Sequence, residues 1–215
     1  MASLGGLQKV RGDVEFFHIE RDTARAGAWI PTRKAYKRLI YSGTTHHLVL
    51  QDDVVVSKNF IKTVRLFAEL LPNELVCFFS MRNVAQEAAD LGKNWFTTPT
   101  GVWGNSILFP TAMLQGILRW ERKHIKPDCY HDDERIAAYL KYGPGKGKKV
   151  WHPCPSLVEH TAPSDSLLGH NHPRRVNQVW IGDADPLEID WAKDIDSPHK
   201  GHDSWDGRKW FITQP

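Results

Sequence analysis

An α/β fold built as one domain is predicted by three observations. HHLVLQDDVVV at 46–56 is an apolar strand interrupted by two carboxylates, NFIKTVRLFAELL at 59–71 has apolar residues at helical spacing and stops before Pro72, and ELVCFFS at 74–80 is a second apolar strand. Together they make a strand–helix–strand unit, the building block of sheets flanked by helices. At 215 residues the chain suits a single compact domain, long enough to bury a core while exposing a cleft.

The remaining elements follow in order. VEFFHI at 14–19 is a short β-rich run, and RDTARAGAW at 21–29 is a polar loop with a glycine turn. A helix is expected from Arg33 to Ile40. Ala85–Asn94 is helix or loop, and WFTTPTGVWGNSILFP at 95–110 is a glycine-punctuated turn feeding an apolar run that ends at Pro110. TAMLQGILRWERKH at 111–124 is an amphipathic helix. DDERIAAYLKYG at 132–143 is another, with acids in its first turn, where they complement the helix dipole, and glycine at its end. GPGKGKK at 143–149 is a basic loop. Beyond VWHPCPSLVEH the chain is rich in Pro, His, Asp and Trp with little periodicity, so residues 183–215 are expected to wrap the surface as a tail of the domain over 1–182.

Composition narrows the function classes. Hydrophobic residues make up 41% and charged residues 25%, as in soluble globular proteins, and no run reaches the roughly 18 apolar residues of a membrane helix. The opening MASLGGLQKVRGD lacks the basic flank and apolar stretch of a signal peptide, which predicts a cytoplasmic protein without membrane contact. Cys77, Cys129 and Cys154 lack paired CxxC spacing, so core thiols are expected rather than disulfides or a zinc site. The formal charge of +3 attracts anions only mildly. Nine tryptophans supply flat rings of the kind on which sugars and bases stack, although core positions explain such residues equally well.

The chemistry concentrates at Gln51-Asp52-Asp53. Charge in an apolar strand is costly unless it is paired or bound to metal, and hard oxygen ligands suit Mg²⁺ or Mn²⁺, which bridge nucleotide phosphates. Sites in open α/β sheets lie at the carboxyl ends of strands, where these acids fall. The plainer alternative is an acid that caps the next helix or pairs with Lys58. Asp132 and Asp133, with Glu134, are placed either for ordinary capping or to hold a general base at a helix N-terminus. PSLVEHTAPSDSLLGHNHPRR at 155–175 gathers His160, His170 and His172 with Arg174 and Arg175, a set of metal ligands and diphosphate donors. Its Ser156, Ser164 and Ser166 are weaker candidates for hydrogen bonds to phosphate or sugar. Gly101 and Gly104 flank Trp103, allowing close backbone approach to a ligand beside an indole, or a plain turn with a core anchor.

HHLVLQDDVVVSKNF resembles the strand and DxD-type motif of the GT-A-fold glycosyltransferases, and RAGAW, TGVWGNSILFP, HDDERIAAYL and PSLVEHTAPSDSLLGH resemble, in order, segments of small phage-type and bacterial members. The similarity spans residues 14–182. It implies a single-domain GT-A-like (Rossmann-like) twisted mixed sheet flanked by helices. It also implies one further opening strand, which the chain is expected to lack because only residues 1–13 precede VEFFHI. By the same resemblance Asp53 binds the metal-diphosphate beside Asp52, His160 completes the metal shell with His170 in reserve, and Asp133 acts as general base with Asp132 second, giving transfer with inversion. Asp22, Arg25, Gly27 and Trp29 then touch the nucleotide, and Gly101, Trp103 and Gly104 lie beside donor sugar and acceptor.

The function implied is metal-dependent transfer of a sugar from a nucleotide-sugar to an acceptor hydroxyl. Lys141, Lys146, Lys148 and Lys149, at a loop suited to following a phosphate backbone, join the phage-type resemblance to suggest a hydroxymethylated base in DNA, flipped out of its stack, as acceptor. A wall polysaccharide, another glycan or a protein are alternative acceptors. A phage-encoded chain would act in the host cytoplasm. The rival readings are a noncatalytic carbohydrate- or nucleic-acid-binding protein with a degenerate transferase fold, and a metal-dependent phosphohydrolase or nucleotidyltransferase.

Overall fold

The computed structural model describes residues 7–10, 13–16, 20, 29–38, 43–127, 129, 131–161 and 176–202. Strands β1 (Leu7–Val10) and β2 (Asp13–Phe16) form an antiparallel pair, so the expected run at 14–19 has a partner strand that the sequence reading left unassigned. Helix α1 (Trp29–Arg38) begins before the expected Arg33. Strands β3 (His46–Leu50) and β4 (Val54–Val56) divide the apolar run expected to be continuous, because the chain turns at Asp52-Asp53. Helix α2 (Phe60–Leu70), strand β5 (Leu75–Cys77), helix α3 (Asn83–Asp90), strands β6 (Trp95–Thr98) and β7 (Ser106–Pro110), helices α4 (Thr111–His124) and α5 (Asp132–Tyr142), and strands β8 (Val150–Pro153), β9 (Val158–His160) and β10 (His199–Lys200) complete the described order.

The architecture is α/β, with a mixed six-stranded sheet in the order β10-β6-β8-β5-β7-β3 between helices. Strands β3, β5 and β8 run one way, and β7 and β6 lie antiparallel to them. The strand–helix–strand unit is therefore present, with β7 inserted between its two strands. β4 leaves this sheet and pairs with β9. No described helix is long and apolar enough to cross a membrane.

Each face of the sheet carries its own core. On one side Tyr36 of α1, Leu114, Ile117 and Leu118 of α4, and Ile136 and Leu140 of α5 close over Ile107 and Phe109. On the other, Phe60, Val64 and Phe67, spaced as one stripe of α2, meet Val76, Phe78, Trp95 and Trp191. Phe67 stands 4.6 Å from Trp95 and 4.9 Å from Trp191, ring centre to ring centre. The Trp95 indole donates to the Trp191 carbonyl and the Trp191 indole to the Pro186 carbonyl, both at 2.7 Å. Residues 183–202, expected to wrap the surface, instead place Trp191 in the core and β10 beside β6, since this tryptophan's apolar area has no better place to go. All three cysteines are buried free thiols.

Trp191→Ala is expected to lower unfolding free energy by about 3–5 kcal/mol in a denaturant titration. A loss below about 1 kcal/mol would mean that the 183–202 segment rests on the surface.

Candidate functional site

The carboxyl ends of β3, β5 and β8 and the amino end of β7 share one end of the sheet. Gln51 donates its N–H to the Asn105 carbonyl at 2.9 Å, extending the β3–β7 ladder up to the acids. There the chain turns, because a paired strand interior offers two adjacent carboxylates neither water nor a counter-charge. Asp52 is exposed and Asp53 turns inward.

Pairing of β4 with β9 sets Val54 opposite His160, and Thr161 clasps the Asp53 carbonyl with both its N–H (2.9 Å) and its hydroxyl (3.0 Å). His160 Nδ1 consequently stands 3.5 Å from Asp53 Oδ2. The His160 side chain is 8% exposed and that of Asp53 31%. Phe79 holds the imidazole edge-on at 5.0 Å and reaches Trp103 at 5.9 Å. The two plainer roles for the acids fall elsewhere: Asn59 occupies the N-cap of α2, and the Lys58 ammonium lies 3.6 Å from Asp185.

The second acid pair stands at this same end. Building a Cβ on Gly104 would bring it within 2.5 Å and 2.7 Å of the two Asp132 carboxyl oxygens, so glycine here makes room for that carboxyl. Gly101 has a parallel role, packing on Thr98 and donating its N–H to the Thr98 hydroxyl at 3.1 Å. Both glycines thus serve close packing within the protein. Asp132 is 5% exposed, and the buried Tyr36 hydroxyl is directed at it. Burial first, then the neighbouring Asp133 charge, pushes the Asp132 carboxyl up to about 7. Asp133 is half-buried and accepts a hydrogen bond from the Glu134 N–H at 2.8 Å.

Among the described residues, Asp53 Oδ1, Trp103 Nε1, Asn105 Nδ2 and Asp132 Oδ2 are buried side-chain atoms without a hydrogen-bond partner, and all belong to this end of the sheet. Buried polar groups are normally satisfied, so an orphaned carboxylate oxygen beside an imidazole suits an added cation. The described residues contain no group of three or more His, Cys, Asp and Glu able to hold a metal. Were a cation bound at this end, Asp53 and His160 would hold it.

Several expected residues fall elsewhere. Ser156 is buried in a backbone bridge to Trp180. Lys146, Lys148 and Lys149 precede β8, whose first residue pairs with the first residue of β5, so their loop lies at the opposite end of the sheet from the acids. Lys148 there faces Glu74 at 3.4 Å. Lys141 stands over the Tyr142 ring at 5.6 Å. Asp22, Arg25, Gly27, Ser164, Ser166, His170, His172, Arg174 and Arg175 lie outside the described residues, as does the side chain of Trp29, which opens α1.

Sequence reasoning missed Tyr36, Phe79 and Asn177. The Asn177 side chain bonds the Ser80 N–H at 2.7 Å and the Val158 carbonyl, while its own N–H meets Glu159 at 3.1 Å, tying the chain after residue 175 to the site's end of β5 and β9. It also missed the buried pair of Glu121 with Arg135 at 2.6 Å, although an acid four residues after Ile117 on an apolar stripe is a readable signal.

Gly104→Ala is expected to cost about 1–3 kcal/mol in a denaturant titration, and a neutral substitution would show that the Asp132 carboxyl can step aside. Because the folded Asp132 keeps its proton to higher pH than the unfolded chain, stability is given up as pH climbs from about 4 through about 7. Asp132→Asn removes that loss. Its denaturation midpoint, measured relative to the wild type, should therefore rise between about pH 4 and pH 8, whereas parallel curves would contradict the shift. No family model matches the chain, and no curated protein matches it.

Proposed function

We propose that the protein is a metal-dependent glycosyltransferase of GT-A type, moving a sugar from a nucleotide-sugar to an acceptor hydroxyl with inversion. The observation that carries this reading is the convergence of Asp53 and His160, 107 positions apart in sequence, with the other Asp53 carboxylate oxygen buried and unpartnered and the Asp132-Asp133 pair at the same end of the sheet. The mixed sheet with its acids at a strand's carboxyl end supports it as well.

Asp53 and His160 would hold Mn²⁺ or Mg²⁺. The ion, when bound, supplies Lewis-acid neutralisation of the charge that develops on the leaving diphosphate. Trp103, steadied by Phe79 and by the Cys77 thiol (3.4 Å from its N–H), offers an indole face to the sugar. Asp133, the more accessible of its pair, takes the proton of the acceptor hydroxyl while that oxygen bonds to the anomeric carbon and the bond to the diphosphate breaks. Asp132, whose carboxyl burial raises to about 7, repels Asp133 less than an ordinary carboxylate would and packs under the 101–104 loop.

A thermal-shift panel of nucleotide-sugars with and without Mn²⁺ tests the reading. One donor is expected to raise the melting temperature only with metal, and Asp53→Asn and His160→Ala should each abolish the rise. Absence of any metal-dependent stabilisation in the wild type would overturn it. Asp133→Asn should reduce transfer by about 10²-fold or more while the donor-induced shift persists. Full transfer by that variant would remove Asp133 from the role of base.

A further inference from the structure

Among the described residues, acidic groups are scarce on one face of the molecule. Helix α1 contains no aspartate or glutamate and exposes Lys34, Lys37 and Arg38. Helix α4 contains one acid, Glu121, which is buried and bonded to Arg33 at 3.0 Å and Arg135 at 2.6 Å. Around it Arg122 and Lys123 are exposed, and Lys126 follows half-buried. The Arg33–Glu121 pair ties α1 to the last turn of α4 on the same side of the sheet. Its α1 end includes a shallow concavity of about 400 Å³ lined by Glu20, Lys34, Lys37 and Arg38. Glu20 lies 3.9 Å from Arg38.

Six cations against the one acid Glu20 make this stretch of surface strongly positive. The surface also adjoins the carboxylates. Arg135 donates to the Lys126 carbonyl at 3.2 Å and to that of Cys129, and it lies one helical turn from Asp132. The glycine-rich lysine loop, by contrast, lies at the far end of the sheet.

We propose that this face of α1 and the last turn of α4 bind the phosphate backbone of a nucleic acid duplex and present it to the end of the sheet that carries Asp132 and Asp133. Separate point charges spread over two helices match the regular phosphates of a duplex. Among the described residues the large apolar side chain exposed with them is Ile30, fewer than a helix that inserts into a lipid surface presents. Presentation of the duplex to those acids rests on the transferase reading, whereas the binding itself is read without any donor.

The test is fluorescence anisotropy of a labelled DNA duplex of about 20 base pairs, titrated with the full chain between about 50 and 200 mM salt. The wild type should bind with steep salt dependence. Lys34→Gln/Lys37→Gln and Arg122→Gln/Lys123→Gln should each weaken binding about tenfold or more and flatten the log–log salt slope by about 2, while Lys146→Gln/Lys149→Gln stays within about twofold. On the wild type, bound duplex should protect Lys34, Lys37 and Lys123 from acetylation, read by mass spectrometry, which does not depend on any variant folding. Any of four results overturns the proposal: no binding by the wild type, helix variants that bind as the wild type does, a loop variant that loses as much as they do, or anionic phosphatidylserine vesicles that bind as tightly with the same variant sensitivity. The helix variants should keep any metal-dependent donor shift, so failure of this surface and failure of the transferase reading are separately visible.

Discussion

The antiparallel pairing of Val54–Val56 with Val158–His160 is the constraint on which the candidate site depends. Three residues of ladder are a small structure, yet they fix the register in which His160 meets Asp53, and a slip of one residue would send the imidazole to the other face. The Thr161 clasp on the Asp53 carbonyl reinforces that register. Around it, burial of Leu157 and Val158 against the α2 side of the core anchors β9, so the stability of the sheet supports the position of the Asp53–His160 pair. The divergence of β4 from the main sheet is what frees the carboxylates: had 46–56 continued as one strand, the two acids would have pointed to opposite faces of a ladder.

The other half of the site is held from the opposite face. Arg135 bonds Glu121 of α4 and the backbone carbonyls that precede α5, which sets where the first turn of α5 begins and hence where Asp132 and Asp133 stand. A buried ion pair of this kind is weak evidence of net stability, but removing one partner leaves an uncompensated charge, so it discriminates strongly between positions of the two helices. Arg33 extends the network to α1, whose Tyr36 hydroxyl reaches Asp132. Burial raises that carboxyl to about 7, so it holds its proton up to near neutrality, and while it does a second acid can ionise beside it unopposed.

Much of the fold was legible because periodicity is local. The apolar stripes of Phe60–Leu70 and Thr111–His124 stand where the spacing predicted, and Asp132–Tyr142 begins at its acids. The break at Asp52-Asp53 was half legible: the acids announced themselves, but nothing nearby says that β4 changes sheets, since its partner lies a hundred residues on. The Trp191 core contact escaped for the same reason, as an aperiodic segment carries no sign of what it will bury. The contact of Gly104 with the Asp132 carboxyl was not legible, because a glycine that makes room for a neighbouring carboxyl looks, in sequence, like one left open for a ligand. Charge patterning drew attention to the dense lysines at 146–149, whereas the cations of α1 and α4 lie in two runs 88 positions apart, joined by the Arg33–Glu121 pair.

The central claim, that Asp53 and His160 hold a cation for a sugar-bearing diphosphate, is tested most directly by anomalous diffraction from crystals soaked with Mn²⁺ and a nucleotide-sugar. The account predicts an anomalous peak within about 2.0–2.2 Å of an Asp53 carboxylate oxygen and a His160 ring nitrogen, shared with the diphosphate. Donor density with no peak at that pair, or a peak held by other residues while Asp53 faces solvent, would contradict it.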